Sequence, residues 1–123
     1  MIHLDANFLV SALASGTPAE AQLRRWLTSG ETVAISSVAW AEFLCGPLSA
    51  EDEVAARRLL PQAEPFLAED AAKAAALFNL TGRRSRSLAD CMIAAVAMRT
   101  GARLATINVA DFQPFQPHGL ILA

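Results

Sequence analysis

Ser85-Arg86-Ser87-Leu88-Ala89-Asp90-Cys91-Met92-Ile93-Ala94-Ala95 is the stretch from which the fold is read. From Ser87 to Thr100 it runs as the most apolar helical pattern of the chain, and Gly101 stops it. Arg103-Leu104-Ala105-Thr106 follows at once and reads as a strand. A buried helix feeding a short apolar strand is the unit of a parallel α/β sheet. Asp90 is the one acidic group in the opening turn of that helix, and Ser87-x-x-Asp90 has the spacing of a capping box.

The same alternation extends back to the N-terminus. Met1-Ile2-His3-Leu4 reads as the first strand and ends at Asp5, with Asp5 also placed to cap the helix of residues 6–14. Thr17-Pro18-Ala19-Glu20 carries a start signal, with Thr17 as cap, Pro18 at the first helical position and Glu20 closing a capping box. Thr32-Val33-Ala34-Ile35 is the second strand. Ser36 or Ser37 caps the next helix, which stops near Gly46-Pro47, and Ser49 opens another through Leu60. Residues 62–67 read as a short strand, and Glu69 and Asp70 begin a helix that fades near Gly82. Asn108 to Phe112 reads as a loop and Gly119 to Leu122 as a last strand. Strands alternating with helices predict an α/β fold, a three-layer α/β/α sandwich with a mainly parallel central sheet.

Composition sets the bounds. The 123 residues make one domain, 1–123, able to bury roughly two thirds of its unfolded surface. Hydrophobic residues are 54%, which excludes a disordered chain. No apolar run approaches the ~20 residues of a membrane span, and Asp5 interrupts any leader-like start, so a cytoplasmic protein is expected. Cys45 and Cys91 are too few for a disulfide scaffold and read as small buried residues. No CxxC is present, and His3 and His118 lie at opposite ends, which argues against zinc. Net charge is −2, so any attraction to phosphates must be local. Three of the ten basic residues, Arg83, Arg84 and Arg86, supply such a patch.

Four carboxylates stand out. Asp5 ends a strand, Asp90 opens a helix, and Asp111 follows the strand of residues 103–106. Glu42 lies among Trp40, Ala41, Phe43 and Leu44, where an unpaired carboxylate is costly unless one face of the helix is wet. Glu51, Asp52, Glu53, Glu64, Glu69 and Asp70 lie in polar stretches and read as surface or helix-start groups. In parallel sheets the carboxyl ends of strands are where ligands bind. Converging carboxylates repel one another and are stabilised by a hard divalent cation, which in turn neutralises phosphate and activates water. The spacing alone does not separate a phosphodiesterase from a phosphatase.

The chain resembles PIN-domain ribonucleases, most closely the VapC toxins of bacterial toxin–antitoxin pairs. The blocks that carry the resemblance are Ile2-His3-Leu4-Asp5-Ala6-Asn7, Ile35 to Glu42, Leu88 to Ala95, and Leu104 to Phe112, in that order. The resemblance implies a metal-dependent endoribonuclease with Mg²⁺ or Mn²⁺ as cofactor. It matches Asp5, Glu42 and Asp90 to an acidic triad and Asn7 to a supporting polar residue. The fourth position lies two residues after the strand-end Thr106, where this chain has Asn108. Asp111 is therefore expected as the fourth catalytic and metal-binding carboxylate, with Asn108 as a polar helper and Ser87 in support at the helix start. The resemblance also implies RNA as substrate, held by Arg83, Arg84 and Arg86, a cognate antitoxin that plugs the site, and a homodimer. Trp26, Trp40, Phe43 and Leu44 are expected mainly in the core, with a dimer or antitoxin surface as their other use. Two rival readings are a small phosphatase using Asp5 as nucleophile and a non-catalytic binding module of the same fold.

Overall fold

Ile2, Leu4, Ile35 and Leu104 are completely enclosed, and they define the centre of the molecule in a computed structural model describing residues 1–123. Strands β1 (Ile2–Leu4), β2 (Val33–Ala34) and β3 (Arg103–Ala105) pair in parallel in the order β2-β1-β3. His3 stands opposite Ala34 on one side and Leu104 on the other. The connections are helical: α1 (Ala6–Leu13) and α2 (Pro18–Thr28) between β1 and β2, then α3 (Ser37–Cys45), α4 (Ala50–Leu59), α5 (Ala68–Leu80) and α6 (Leu88–Arg99) before β3. A short α7 (Val109–Phe112) and a 3₁₀ helix (Gln113–His118) follow. Parallel strands need such crossovers, and helices cover their apolar surfaces. The α/β sandwich with a parallel sheet is the architecture expected from the sequence.

Local chemistry sets most helix starts. Thr17, Ser36 and Ser49 accept the amides of Glu20, Ala39 and Asp52, each at 3.1 Å. Ser36 is therefore the cap of α3, and Ser37 instead accepts the amide of Phe66 at 3.1 Å. Glu20 reaches the amide of Gly16 at 3.0 Å, one residue beyond the Thr17 amide that a capping box would use.

Two expected strands shrink to single bridges. In residues 62–67 only Glu64 pairs, opposite Ser36, because Pro61 and Pro65 flank it and proline brings no amide to a ladder. Near the C-terminus Leu122 pairs with Leu104 alone, since the chain stays in the 3₁₀ helix to His118 and turns at Gly119 (φ 112°). Asn108 to Phe112, expected as a loop, folds largely as α7, anchored by the buried Phe112.

Asp70 is not a surface group: it is 1% exposed. Its carboxylate accepts the Leu67 amide at 2.8 Å and Nε of Arg99 at 2.8 Å. Arg99 also donates to Glu64 at 3.1 Å and to the carbonyl of Pro65 at 2.9 Å. One guanidinium thus ties the C-terminal end of α6 to the start of α5 and the segment before it. Cys91 is buried as expected, but Cys45 is exposed at the end of α3. Trp26 and Phe43 join the core, Trp40 stacks on Phe43 with ring centroids 5.3 Å apart, and Leu44 faces outward.

Candidate active site: a cleft of four carboxylates

Asp5, Glu42, Asp90 and Asp111, far apart in sequence, line one cleft of about 260 Å³. Asp5 leaves β1, Glu42 projects from α3, Asp90 from the first turn of α6 and Asp111 from α7. Asn7 and Asn108 line the same space, and Ala6, Ile93 and Phe112 supply its apolar wall. Both residues considered for the fourth position, Asn108 and Asp111, reach the cleft.

Asp5 is the most constrained of the four, at 4% exposure. Oδ1 accepts the amide of Phe8 at 2.7 Å, so the carboxylate caps α1 as it faces the cleft. Oδ2 accepts the hydroxyl of Thr106 at 2.6 Å. That hydroxyl in turn accepts the amide of Asn108 at 2.9 Å. Thr106 therefore links the ends of β1 and β3 through the carboxylate. In the sequence Thr106 marks only the end of a strand; its place there beside the strand-end Asp5 is the signal that identifies it.

The electrostatics record the crowding. Burial pushes the Asp5 carboxyl above its ordinary range, against the hydrogen bonds from Thr106 and Phe8, and Asp111 adds to the rise. Glu42, an exposed residue at the rim, is also raised, first by desolvation and then by Asp5. Asp90 is raised to about 6, by burial first and then by Asp111, Glu42 and Asp5, with Arg84 opposing. Carboxylates that raise one another's pKa in a cleft are stabilised in their ionised forms by a cation.

The donor set fits a hard divalent ion, because every ionisable group lining the cleft is a carboxylate and the remaining polar groups are amides. No three of the carboxylates surround a single point at ligand distance.

The arginine loop contributes unequally. Arg83 lies over the Phe78 ring at 5.3 Å and donates to Asn79. Arg86 is exposed. Arg84 points inward, near enough to Asp90 to oppose its pKa rise, and its Nε and Nη2 are enclosed without a hydrogen-bond partner. Ser87 does not cap α6: its backbone is already helical (φ −93°, ψ −5°), and its hydroxyl donates back to the carbonyl of Arg84 at 2.8 Å. The expected Ser87–Asp90 capping box is absent because that backbone turns the side chain toward the preceding loop. Ser87 thus fixes the backbone of the preceding loop at the Arg84 carbonyl and does not itself line the cleft.

Known proteins share this frame. Over the full length of this chain, the structure is similar to VapBC2 from Rickettsia felis, solved bound to a DNA fragment from its promoter (23% identity, 98% of that chain, TM-score 0.75). It is similar to FitAcB from Neisseria gonorrhoeae (22% identity, all of this chain and 97% of that one, TM-score 0.72). It is similar also to VapC20 from Mycobacterium tuberculosis, a sarcin-ricin loop cleaving toxin (18% identity, all of this chain and 98% of that one, TM-score 0.70). A comparison with curated protein sequences gives no match. The family model described as PIN domain matches residues 2–112, a span that takes in all four carboxylates of the cleft: the chain belongs to the PIN domain family.

Proposed function

We propose that this chain, taken as one domain over residues 1–123, is a divalent-metal-dependent endoribonuclease and the toxin of a toxin–antitoxin pair. The observation that carries the reading is the convergence of Asp5, Glu42, Asp90 and Asp111 on one cleft. The solved structures similar to it include a sarcin-ricin loop cleaving toxin and a toxin–antitoxin complex from Klebsiella pneumoniae. Asp5, Asp90, Glu42 and Asp111 would hold Mg²⁺ or Mn²⁺. When bound, such an ion neutralises the phosphodiester and lowers the pKa of water at the scissile phosphorus. Asp5, fixed through both oxygens, sets the geometry, and Asp90 faces the same cleft from the first turn of α6. Asn7 and Asn108 orient water and phosphate oxygens as hydrogen-bonding partners in the cleft. A phosphatase with Asp5 as nucleophile fits less well, since both Asp5 oxygens are already hydrogen-bonded within the protein.

An antitoxin partner also fits the surface. A groove lined by Val10, Leu13, Phe43, Pro47 and Leu48 shares Ala6, Asn7 and Glu42 with the acidic cleft. A peptide that lays apolar side chains there and brings a cation to the carboxylates would close the site. A homodimer and a cytoplasmic location complete the reading; no helix of the chain is long and apolar enough to cross a membrane.

The test is incubation of labelled single-stranded RNA with the protein in Mg²⁺, Mn²⁺ or EDTA. Cleavage is expected with metal and absent in EDTA, with no 2′,3′-cyclic phosphate among the products because water is the nucleophile. Hydrolysis of a phosphomonoester with RNA left intact would replace this reading with the phosphatase. In the same assay Thr106→Val is expected to slow cleavage by about 10- to 100-fold, through loss of the charge-assisted bond to Asp5. A rate within twofold of wild type would remove Thr106 from the positioning of the site.

A further inference from the structure

A second cavity, of about 410 Å³, lies past the end of β3, across Thr106 from the acidic cleft. Thr106 lines it, and the hydroxyl of the same residue donates to Asp5 at 2.6 Å. Ile107 lines it, while the next residue, Asn108, lines the cleft. Phe8 lines it too, and the Phe8 amide is the one that Asp5 accepts at 2.7 Å. The two spaces are therefore neighbours divided by single residues, and both sit where a parallel sheet places its ligands.

The chemistry of this cavity is unlike that of the cleft. No acidic side chain lines it. Phe8, Pro18, Trp26 and Ile107 give it apolar surface, and Ile107, at the junction with the cleft, is 53% exposed. Gln22 and Arg25 stand three residues apart on one face of α2 and both line it. Nη2 of Arg25 donates to Oε1 of Gln22, and Arg25 joins none of the ion pairs of the chain. That bond turns the Gln22 carbonyl to Arg25 and leaves the Gln22 NH₂ to donate, as do the remaining guanidinium N–H groups. The pair thus offers donors and an unneutralised positive charge beside an apolar surface.

Single-stranded RNA is recognised by splayed bases that pack on apolar or aromatic side chains and hydrogen-bond along their edges. A strand whose phosphate lies in the cleft brings an adjoining base past Asn108 to Ile107, and its negative charge suits the free Arg25. Donors on a fork select acceptors: guanine presents O6 and N7 side by side, whereas adenine presents one acceptor and one donor. We propose that this cavity is a base subsite, in which Arg25 and Gln22 read the guanine of a nucleotide next to the scissile phosphate. This deepens the nuclease reading and rests on it for the RNA that spans the two spaces.

The experiment uses the Trp40→Phe protein, in which Trp26 is the only indole, and titrates it in EDTA with GMP, AMP, CMP and UMP while following indole fluorescence. The phosphate is common to the four, so their differences report the base. GMP is expected to change the Trp26 signal saturably and to bind about 5- to 100-fold more tightly than AMP, the range for one bidentate base contact. Arg25→Ala should remove that preference. Arg25→Lys should keep the charge and lose the preference as well, since an ammonium has no fork. Arg58→Ala, at an exposed position of α4, is the control and should bind as the parent does. Equilibrium dialysis of labelled nucleotides against wild type gives the same ranking without the change at Trp40. In Mn²⁺, the fragment ends from an RNA of randomised sequence should show guanine enriched at one position beside the cut, and Arg25→Ala should flatten that enrichment. Equal binding of the four nucleotides, GMP binding that Arg25→Ala leaves intact, or no nucleotide binding at all, as when the cavity takes a protein partner's side chain, would overturn the assignment. RNA cleavage without GMP binding sinks the subsite alone. GMP binding through Arg25 in a protein that cleaves no RNA sinks the nuclease reading alone.

Discussion

Asp90→Asn is expected to cut RNA cleavage by about 10²- to 10⁴-fold and, at the same time, to make the metal-free protein more stable at neutral pH. The activity loss follows from removing one of four carboxylates that would hold the cation, an effect worth about 3–5 kcal/mol in the transition state. The stability gain follows from the same crowding. Asp90 is raised from 3.8 to about 6 by burial and by Asp111, Glu42 and Asp5. Below about pH 4 the group is protonated in both the folded and the unfolded chain and costs nothing. As pH rises from there, the unfolded chain releases its proton first. The folded chain must ionise the group at a penalty that is complete above about pH 6. The raised pKa corresponds to roughly 3 kcal/mol, and because Asp90 is only partly buried, solvent screening reduces this to about 1–2 kcal/mol. Asparagine avoids the penalty, so Asp90→Asn should melt about 3–8 °C above wild type at pH 7.5 in EDTA, with the difference closing by about pH 4. Adding Mn²⁺ should stabilise wild type more than the variant and reverse the order. Melting curves at the two pH values check this; a variant less stable than wild type at pH 7.5 in EDTA would contradict the picture of mutually repelling carboxylates.

Phe115→Ala carries the largest expected cost to the fold. Phe115 is completely buried in the 3₁₀ helix, and its ring meets Phe112 edge-on with centroids 6.1 Å apart. Phe112 closes α7, the element that bears Asp111, and itself lines the cleft. Truncating a buried phenylalanine costs about 3–5 kcal/mol, a large share of the roughly 5–15 kcal/mol that holds a domain together. The melting temperature should fall by at least about 10 °C. Because the cavity opens beneath α7, residual cleavage should decline before global melting as temperature rises. A destabilisation under about 1 kcal/mol in urea titration would show that the C-terminal segment does not support the site.

The parts of the molecule that the sequence made legible are those set by neighbours along the chain. Strand ends, helix stops and the caps at Asp5, Thr17, Ser36 and Ser49 depend on residues three or four positions apart. Asp5, Glu42 and Asp90 are readable because each ends a strand or sits on an apolar helix, whereas Asp111, in an expected loop, is picked out through the family resemblance. What escaped was decided at long range. Asp70 and Glu64 look like surface acids until Arg99, 29 and 35 residues away, is placed between them. Thr106 gains its role from Asp5, 101 residues earlier. Ser87 has the composition of a cap, but the left-handed Arg86 before it brings Ser87 into the helix with its hydroxyl turned back to Arg84. The same loop geometry separates Arg84 from two arginines that the sequence presents as equivalents.

The most direct measurement is the rate of RNA cleavage by wild type and by Asp5→Asn across a series of Mn²⁺ concentrations, with both proteins shown to be folded by thermal melting. The four-carboxylate cleft predicts a wild-type rate that rises with Mn²⁺ to saturation and disappears in EDTA, and an Asp5→Asn rate at least about 10²-fold lower at every concentration. Cleavage by folded Asp5→Asn equal to that of wild type, or cleavage that persists in EDTA, would contradict it.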